Sequence, residues 1–353
     1  MRVLHIIKNF DFGGAENHVC ELANALNENG HKIFIIAGDG RQVGRLNKDI
    51  RFISLRLRDL LMPLQVIIIC YISLKNRIRI IHAHQRLPIL MACIVGKITG
   101  IPVIVTVHGR TRHDLRSWIS RRFSGKIIFV NRYIFEASAR YENIRNKSVI
   151  IPNGVLVSND RSEKRHYSIS YISRIDKKHS SVILIIIQKV MDHLLSKFPM
   201  ITFNIIGEGA FLPEIREEAM RINNELNREA CIVFGFIPDV KEIIRRSELV
   251  MGVGRVALEA MACGVPVLSI NQRRMGTLIS TANYSFYKNS NFVAVENDPP
   301  DKKSLLDLLN DFFTKPGYWQ KEALILQGFV NEDFNTLKTS AAIGILYDEI
   351  IKS

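Results

Sequence analysis

Two glycines, an arginine and a glutamate stand at close intervals in the segment Gly252-Val253-Gly254-Arg255-Val256-Ala257-Leu258-Glu259. A strand-like run, Leu249–Met251, ends just before them, and helical spacing begins near Arg255. Glycines at such a junction let a phosphate approach the backbone. The N-terminus of the following helix offers unsatisfied N–H groups and a partial positive charge. Arg255 adds a planar fork suited to a diphosphate, and Glu259, one turn further on, can accept both hydroxyls of a ribose. Gly264-Val265-Pro266 then closes the helix onto the next strand. The plainer reading of Gly252 and Gly254 is a tight strand-to-helix turn. Glu259, between Leu258 and Ala260, needs a partner under either reading, because a carboxylate in an apolar helix is costly alone.

Other chemistry-bearing residues are scattered. His108 closes a strand-like run and precedes a glycine, a position as suited to a site as to a turn. His82 and His84 have the look of a metal pair, but with no carboxylate nearby metal binding is not expected; His84 is placed along a cleft and His82 in the core. The five cysteines (Cys20, Cys70, Cys93, Cys231 and Cys263) are odd in number, far apart and set in apolar stretches, which fits reduced thiols in a reducing compartment. Arg110, Arg112, His113, Arg116, Arg121, Arg122 and Lys126 interleave with Trp118, Ile119 and Phe123. On a helix that makes a basic face beside an apolar strip, a pattern that suits an anionic membrane interface or a solvated helix packed on a sheet. Arg51–Arg58 with the leucines around it is a second such stretch. Nucleic acid is not expected as a partner, since stacking platforms and a recognisable binding module are missing.

The elements that must position these residues are legible as an alternation. With 353 residues, 47% hydrophobic and 23% charged, the chain has the size of two domains and ordinary globular composition. Strand-like runs fall at Val3–Ile7, Lys32–Ile36, Arg51–Ile53, Ile78–His82, Val103–Val107, Ile127–Val130 and Val149–Ile151, with helix-like stretches between them. The series restarts at Ser168–Ser173 and continues through Thr202–Ile206, Cys231–Phe234, Leu249–Met251, Pro266–Ile270 and Phe292–Val295. Strand runs without polar alternation imply parallel sheets covered on both faces. The expected fold is therefore α/β, two facing Rossmann-like doubly wound units with a cleft between them. Residues 1–165 form the first domain, 166–335 the second, and 336–353 a C-terminal helix packing back on the first. Residues 158–165, polar and charged, form the linker.

The formal charge of +14 is uneven: residues 1–165 carry 27 bases and 12 acids, and residues 166–353 carry 21 and 22. The first domain is the one expected to meet something anionic. The longest apolar run, Pro63–Leu74, is shorter than the ~20 residues a bilayer span needs. The expected location is cytoplasmic, peripheral on the inner face of the membrane.

The run from Leu258 to Val267 resembles the nucleotide-sugar motif of the retaining family-4 glycosyltransferases, which have the GT-B architecture of two Rossmann-like domains. Phe12-Gly13-Gly14-Ala15-Glu16 resembles their first glycine loop, Thr106-Val107-His108-Gly109 the segment that brings a histidine to the reacting sugar, and Ile151-Pro152-Asn153-Gly154-Val155 the close of the first domain. Tyr171–Asp176 resembles the opening strand of the donor domain, and Ile206-Gly207-Glu208-Gly209 the turn after the next strand. The resemblance covers nearly the whole chain. It implies transfer of a sugar from a nucleotide-diphosphate donor to a lipid-linked saccharide or other cell-envelope acceptor. His108, Arg174 and Lys178 would be catalytic. Gly13, Gly14, Arg174, Lys177, Gly207, Gly252, Gly254, Arg255 and Glu259 would hold the donor. No metal or other cofactor is expected, because the cationic side chains take the place of a divalent ion. Two positions depart from the pattern: Met251 stands where the family carries a glutamate, and His179 where it carries a lysine. A sugar-nucleotide epimerase and a non-catalytic nucleotide- or membrane-binding partner of the same fold remain open. A nicotinamide oxidoreductase is disfavoured, since no Gly-x-Gly-x-x-Gly follows a strand.

Overall fold

The computed structural model describes residues 1–109, 111, 114–139, 144–157, 167–295 and 297–352. The chain divides into two units, Met1–Val155 with Phe334–Ser353, and Leu156–Asp333. The linker segment, 158–165, and the expected 165/166 boundary lie outside the described residues.

The first unit runs β1 (Arg2–Asn9), α1 (Gly14–Glu28), β2 (Lys32–Gly38), β3 (Arg51–Ser54), α2 (Met62–Lys75), β4 (Ile80–His84), α3 (Arg86–Thr99), β5 (Val103–Val107), α4 (Leu115–Phe123), β6 (Lys126–Phe129), α5 (Arg132–Ser138) and β7 (Ser148–Ile150). All seven strands are parallel, in the order β3-β2-β1-β4-β5-β6-β7. The apolar residues of β1 are buried on both of its faces. Val3 and Ile7 enter the core under α1, while Leu4 and Ile6 enter the opposite core with Val66 of α2 and Met91 of α3. A strand buried on both faces needs no polar alternation.

The second unit runs β8 (Ser168–Ile172), α6 (Ser180–Ile185), a π-helical turn (Ile186–Val190), α7 (Met191–Lys197), β9 (Thr202–Ile206), α8 (Leu212–Leu226), β10 (Cys231–Gly235), α9 (Lys241–Arg246), β11 (Leu249–Gly252), α10 (Arg255–Ala262), β12 (Val267–Asn271), β13 (Arg274–Leu278), α11 (Tyr284–Asn289), α12 (Lys302–Thr314) and α13 (Pro316–Asp333). Its strand order is β10-β9-β8-β11-β12-β13, with β13 antiparallel on the edge. The last helix, α14 (Thr336–Lys352), belongs to the first unit and buries Ile343, Leu346 and Tyr347 in the core that also holds Val3 and Ile7.

One expected strand is absent. Phe292–Val295 is a loop, with Asn291 at φ +56° and Phe292 at φ +58°, a conformation no strand contains. The sixth strand of that sheet is instead β13. In each unit the strand order reverses beside the first strand, between β1 and β4 and between β8 and β11. Ligands of doubly wound sheets bind at the carboxyl ends of the strands at such a switch point.

Candidate functional site

In the second unit, three turns converge at the carboxyl ends of β8, β9 and β11. Ser173 N–H donates to the Ile206 carbonyl at 3.1 Å, and Ile175 N–H to that of Glu208 at 2.9 Å, lacing the first two turns together. Gly207 is obligatory: at φ +146° a Cβ there would lie 1.8 Å from the Ser173 carbonyl oxygen. Arg174, Lys177 and Lys178 stay exposed while Ile175 between them is fully buried. Asp176 fixes this loop, accepting from the N–H groups of Lys178 and His179 at 2.9 and 3.0 Å and meeting His179 Nδ1 at 2.7 Å. Hydrogen bonds from the His179 backbone and ring hold the Asp176 carboxyl down at about 2. His179 thus faces Asp176, leaving Arg174, Lys177 and Lys178 as the cationic group on this turn.

The β11–α10 junction differs in one respect from its sequence reading. Gly254, at φ +61° and ψ −127°, donates its N–H to the Asn291 carbonyl at 3.0 Å, so this amide is already engaged. The first amides of α10, among them those of Val256 and Ala257, have no acceptor within the helix and no capping side chain. A helix start of this kind can meet an anion. Gly252, the last residue of β11, lies against β8: a Cβ there would be 3.8 Å from the Ile172 carbonyl oxygen. Arg255 Nε donates to Glu259 Oε1 at 2.7 Å, with only 10% and 8% of the two side chains exposed. The residues read as separate diphosphate and ribose ligands are an ion pair one turn apart. Met251 has no exposed surface and packs with Tyr171 and Leu268 in the core of the unit. An apolar side chain suits that place, where an isolated carboxylate would need a partner.

In the first unit, the loop after β1 carries Gly13 as the N-cap of α1 and Gly14 as its first residue, with nothing within 4 Å of a Cβ placed on Gly14. Beside it is Gln85, a residue that the sequence does not single out. It caps α3 at φ +66°, accepts from Lys8 N–H at 3.2 Å and donates to Glu16 Oε1 at 2.6 Å. A non-glycine residue held there is strained, and such strain gathers at functional sites. No local signal could have found it, since glutamine is not a residue type that marks positive φ. Gln85, Glu16, Lys8 and His108 line a cavity of about 740 Å³.

The histidines form a group that only the strand order brings together. His5 on β1 pairs in register with His82 on β4. His5 Nδ1 shares a hydrogen bond with His84 Nε2, and His84 Nδ1 with His108 Nε2, both at 3.3 Å. His82 is held by Thr106 Oγ1 at 2.7 Å and by the Tyr347 hydroxyl of α14 at 2.6 Å. Burial lowers the pKa of every one, His5 to about 3, His108 to about 4, and His82 and His84 well below the ordinary value. These imidazoles are neutral at pH 7. Ligand atoms of His5, His82 and His84 lie within 4.8 Å of one another, but both ring nitrogens of His82 are engaged, and a metal would have to displace one partner.

The basic stretch around residues 110–126 is partly described: Arg110, Arg112 and His113 lie outside the described residues. Of the rest, Arg116, Arg121 and Arg122 are on α4, which buries none of its residues, and Lys126 opens β6. Leu115, Trp118 and Phe123 are exposed, and Arg116 pairs with Asp59. No helix among the described residues is long and apolar enough to cross a membrane. None of the five cysteines is in a disulfide among the described residues; Cys70 and Cys263 are only partly buried.

Residues 12–158 match the family model described as Glycosyltransferase Family 4, and residues 166–311 that described as Glycosyl transferases group 1. An uncharacterized glycosyltransferase of Methanocaldococcus jannaschii is 27% identical over 253 residues, covering 66% of this chain and 66% of that protein. A human phosphatidylinositol N-acetylglucosaminyltransferase chain is 22% identical over 303 residues, covering 73% of this chain and 59% of the relative. The chain thus spans between 59% and 66% of the length of these relatives. Among solved structures, Anabaena HepE in complex with UDP superposes with a TM-score of 0.77 at 17% identity, over 99% of this chain and 100% of that one. The same protein in complex with UDP-glucose gives the same score and coverage.

Proposed function

The chain belongs to the family-4 glycosyltransferases, and from that premise we propose that it is a retaining enzyme moving a sugar from a nucleotide-diphosphate donor to a lipid-linked saccharide or other cell-envelope acceptor. The observation that carries this reading is the convergence of the Arg174, Gly207 and Gly254–Glu259 turns at the switch point of the second sheet. UDP and UDP-glucose complexes of HepE support the donor class. The phosphatidylinositol acceptor in the name of the human relative supports an acceptor of lipid character.

In this reading the departing diphosphate meets Arg174, Lys177 or Lys178 and the first amides of α10. Preorganised donors of this kind stabilise leaving-group charge without reorganisation. These cations take the place of a divalent ion, and no metal is needed. Glu259, held in place by Arg255, accepts the ribose hydroxyls through its carboxylate. His108, kept neutral by burial, orients the sugar by hydrogen bonding rather than by charge. The departing phosphate assists its own replacement on the same face, which retains the anomeric configuration.

The test is release of nucleoside diphosphate across a panel of nucleotide sugars, with and without membrane extract. Acceptor-dependent release supports transfer. Interconversion of the donor sugar without an acceptor identifies an epimerase instead. Binding without turnover identifies a non-catalytic partner, the reading that Met251 in place of the family glutamate favours.

A further inference from the structure

Helix α2 is apolar on all sides, yet only one of its faces is covered. Gln65, Val66, Ile69 and Ser73 are buried against the unit. Leu64, Ile67, Tyr71 and Leu74 are 57–65% exposed, and Leu60, just before the helix, is 95% exposed. The spacing of three, four and three residues sets the four helical ones along one stripe, and Leu60 stands in the short turn that leads into it. Single exposed leucines need no explanation, but a contiguous apolar stripe marks an interaction surface.

The surroundings of the stripe say what covers it. Residues 51–79 carry six basic side chains (Arg51, Arg56, Arg58, Lys75, Arg77 and Arg79) and one acid, Asp59. All six bases are exposed: Arg56 and Arg58 before the helix, Lys75 and Arg77 at its end, Arg51 on β3 and Arg79 just before β4. Asp59 is occupied by Arg116 of α4, which ties the start of α2 to the second basic helix of the unit. Buried Gln65 anchors the basic loop to α2, donating to the Arg56 carbonyl at 2.8 Å and accepting from Arg58 N–H at 3.0 Å. An apolar stripe with cations at both ends suits a helix lying flat in the headgroup region of an anionic bilayer. At 14 residues it is about 21 Å long, too short to cross. A second copy of this chain is a poor occupant, because the same excess of positive charge would face itself.

We propose that α2 is the membrane-inserting element of this protein, with Leu60, Leu64, Ile67, Tyr71 and Leu74 entering an anionic lipid surface and the flanking arginines and lysines held at its phosphates. This deepens the acceptor half of the proposed function and rests on it. UDP titration, which needs no lipid, tests the donor half of that function separately.

The experiment is co-sedimentation with vesicles of phosphatidylcholine alone and of phosphatidylcholine with phosphatidylglycerol. It compares the parent, Leu64→Ser/Ile67→Ser/Leu74→Ser, and Arg56→Ala/Arg58→Ala. The substituted side chains are exposed, and thermal melting with UDP titration checks that each variant is folded. The parent should bind the anionic vesicles and keep a residual fraction in 1 M salt, since apolar contact is not screened. The serine variant should lose binding tenfold or more and lose the salt-resistant fraction. The alanine variant should lose mainly the salt-sensitive part. Equal binding by parent and serine variant overturns the proposal. So does a parent that ignores anionic vesicles, or one that is a dimer in solution which the serine substitutions split.

Discussion

Arg255 and Glu259 face each other across one turn of α10, Nε to Oε1 at 2.7 Å, with nearly all of both side chains out of solvent. Breaking a buried pair from one side leaves the other charge uncompensated, at a cost of roughly 3–5 kcal/mol. Glu259→Gln should therefore weaken UDP binding by tenfold or more and also lower the stability of the second unit. The comparison with Arg255→Gln and the double variant is informative. The two single losses of stability should not add, since groups in contact couple by about 0.5–3 kcal/mol. Calorimetric titration with UDP and urea unfolding read the two effects; additive losses would show that the pair does not act as a unit.

The buried histidines set a pH dependence of stability with a definite sign. Their folded pKa values lie below the ordinary 6.5, so below pH 6.5 the unfolded chain binds more protons than the native one. Stability is full above about pH 6.5 and falls as pH drops toward the folded values. Each of the three fully buried rings, His5, His82 and His84, contributes a slope of up to about 1.4 kcal/mol per pH unit in that window. Urea midpoints measured from pH 7.5 to 5 should fall steeply, and a His5→Phe variant should show a shallower slope. A flat profile would contradict the neutral cluster.

The hydroxyl of Tyr347 carries the bond that ties α14 to β4, at 2.6 Å from His82 Nδ1. Tyr347→Phe keeps the packing and leaves that buried nitrogen unsatisfied, which costs about 1–3 kcal/mol. A lowered unfolding midpoint with unchanged UDP affinity is the expected outcome, because this helix belongs to the first unit.

Gly207→Ala should be severe. Its Cβ would lie 1.8 Å from the Ser173 carbonyl oxygen, and the residue sits at φ +146°. The turn must shift and with it the loop carrying Arg174, so UDP affinity and stability should fall together. An alanine variant that melts and binds like the parent would show that the turn is adaptable.

Much of the fold is legible in the sequence because both sheets are buried on both faces. Runs such as Val3–Ile7 and Val103–Val107 carry no polar alternation and so declare themselves as interior strands. Phe292 and Ala294 imitate a strand for the same reason: they are buried, but by a loop whose positive φ values a hydrophobicity pattern does not encode. β13 escapes the pattern because Arg274-Met275-Gly276-Thr277-Leu278 begins with a charge and contains a glycine, as an edge strand can. The spacing of Arg255 and Glu259 is visible, yet i,i+4 neighbours of opposite charge also pair with each other, and the structure joins them. The His5–His84–His108 chain needs the strand order, because β1 and β4 are neighbours in space and 79 residues separate His5 from His84.

The central claim is sugar transfer from a nucleotide donor, and sugar-labelled donors test it most directly. The protein is incubated with each labelled nucleotide sugar and membrane extract, and the label is followed into the lipid-soluble fraction beside the nucleoside diphosphate released. The account predicts that one donor delivers its label to that fraction in proportion to the diphosphate released, and that Arg174→Ala abolishes both. Bound donor returned unchanged, or converted with no label transferred, would contradict it.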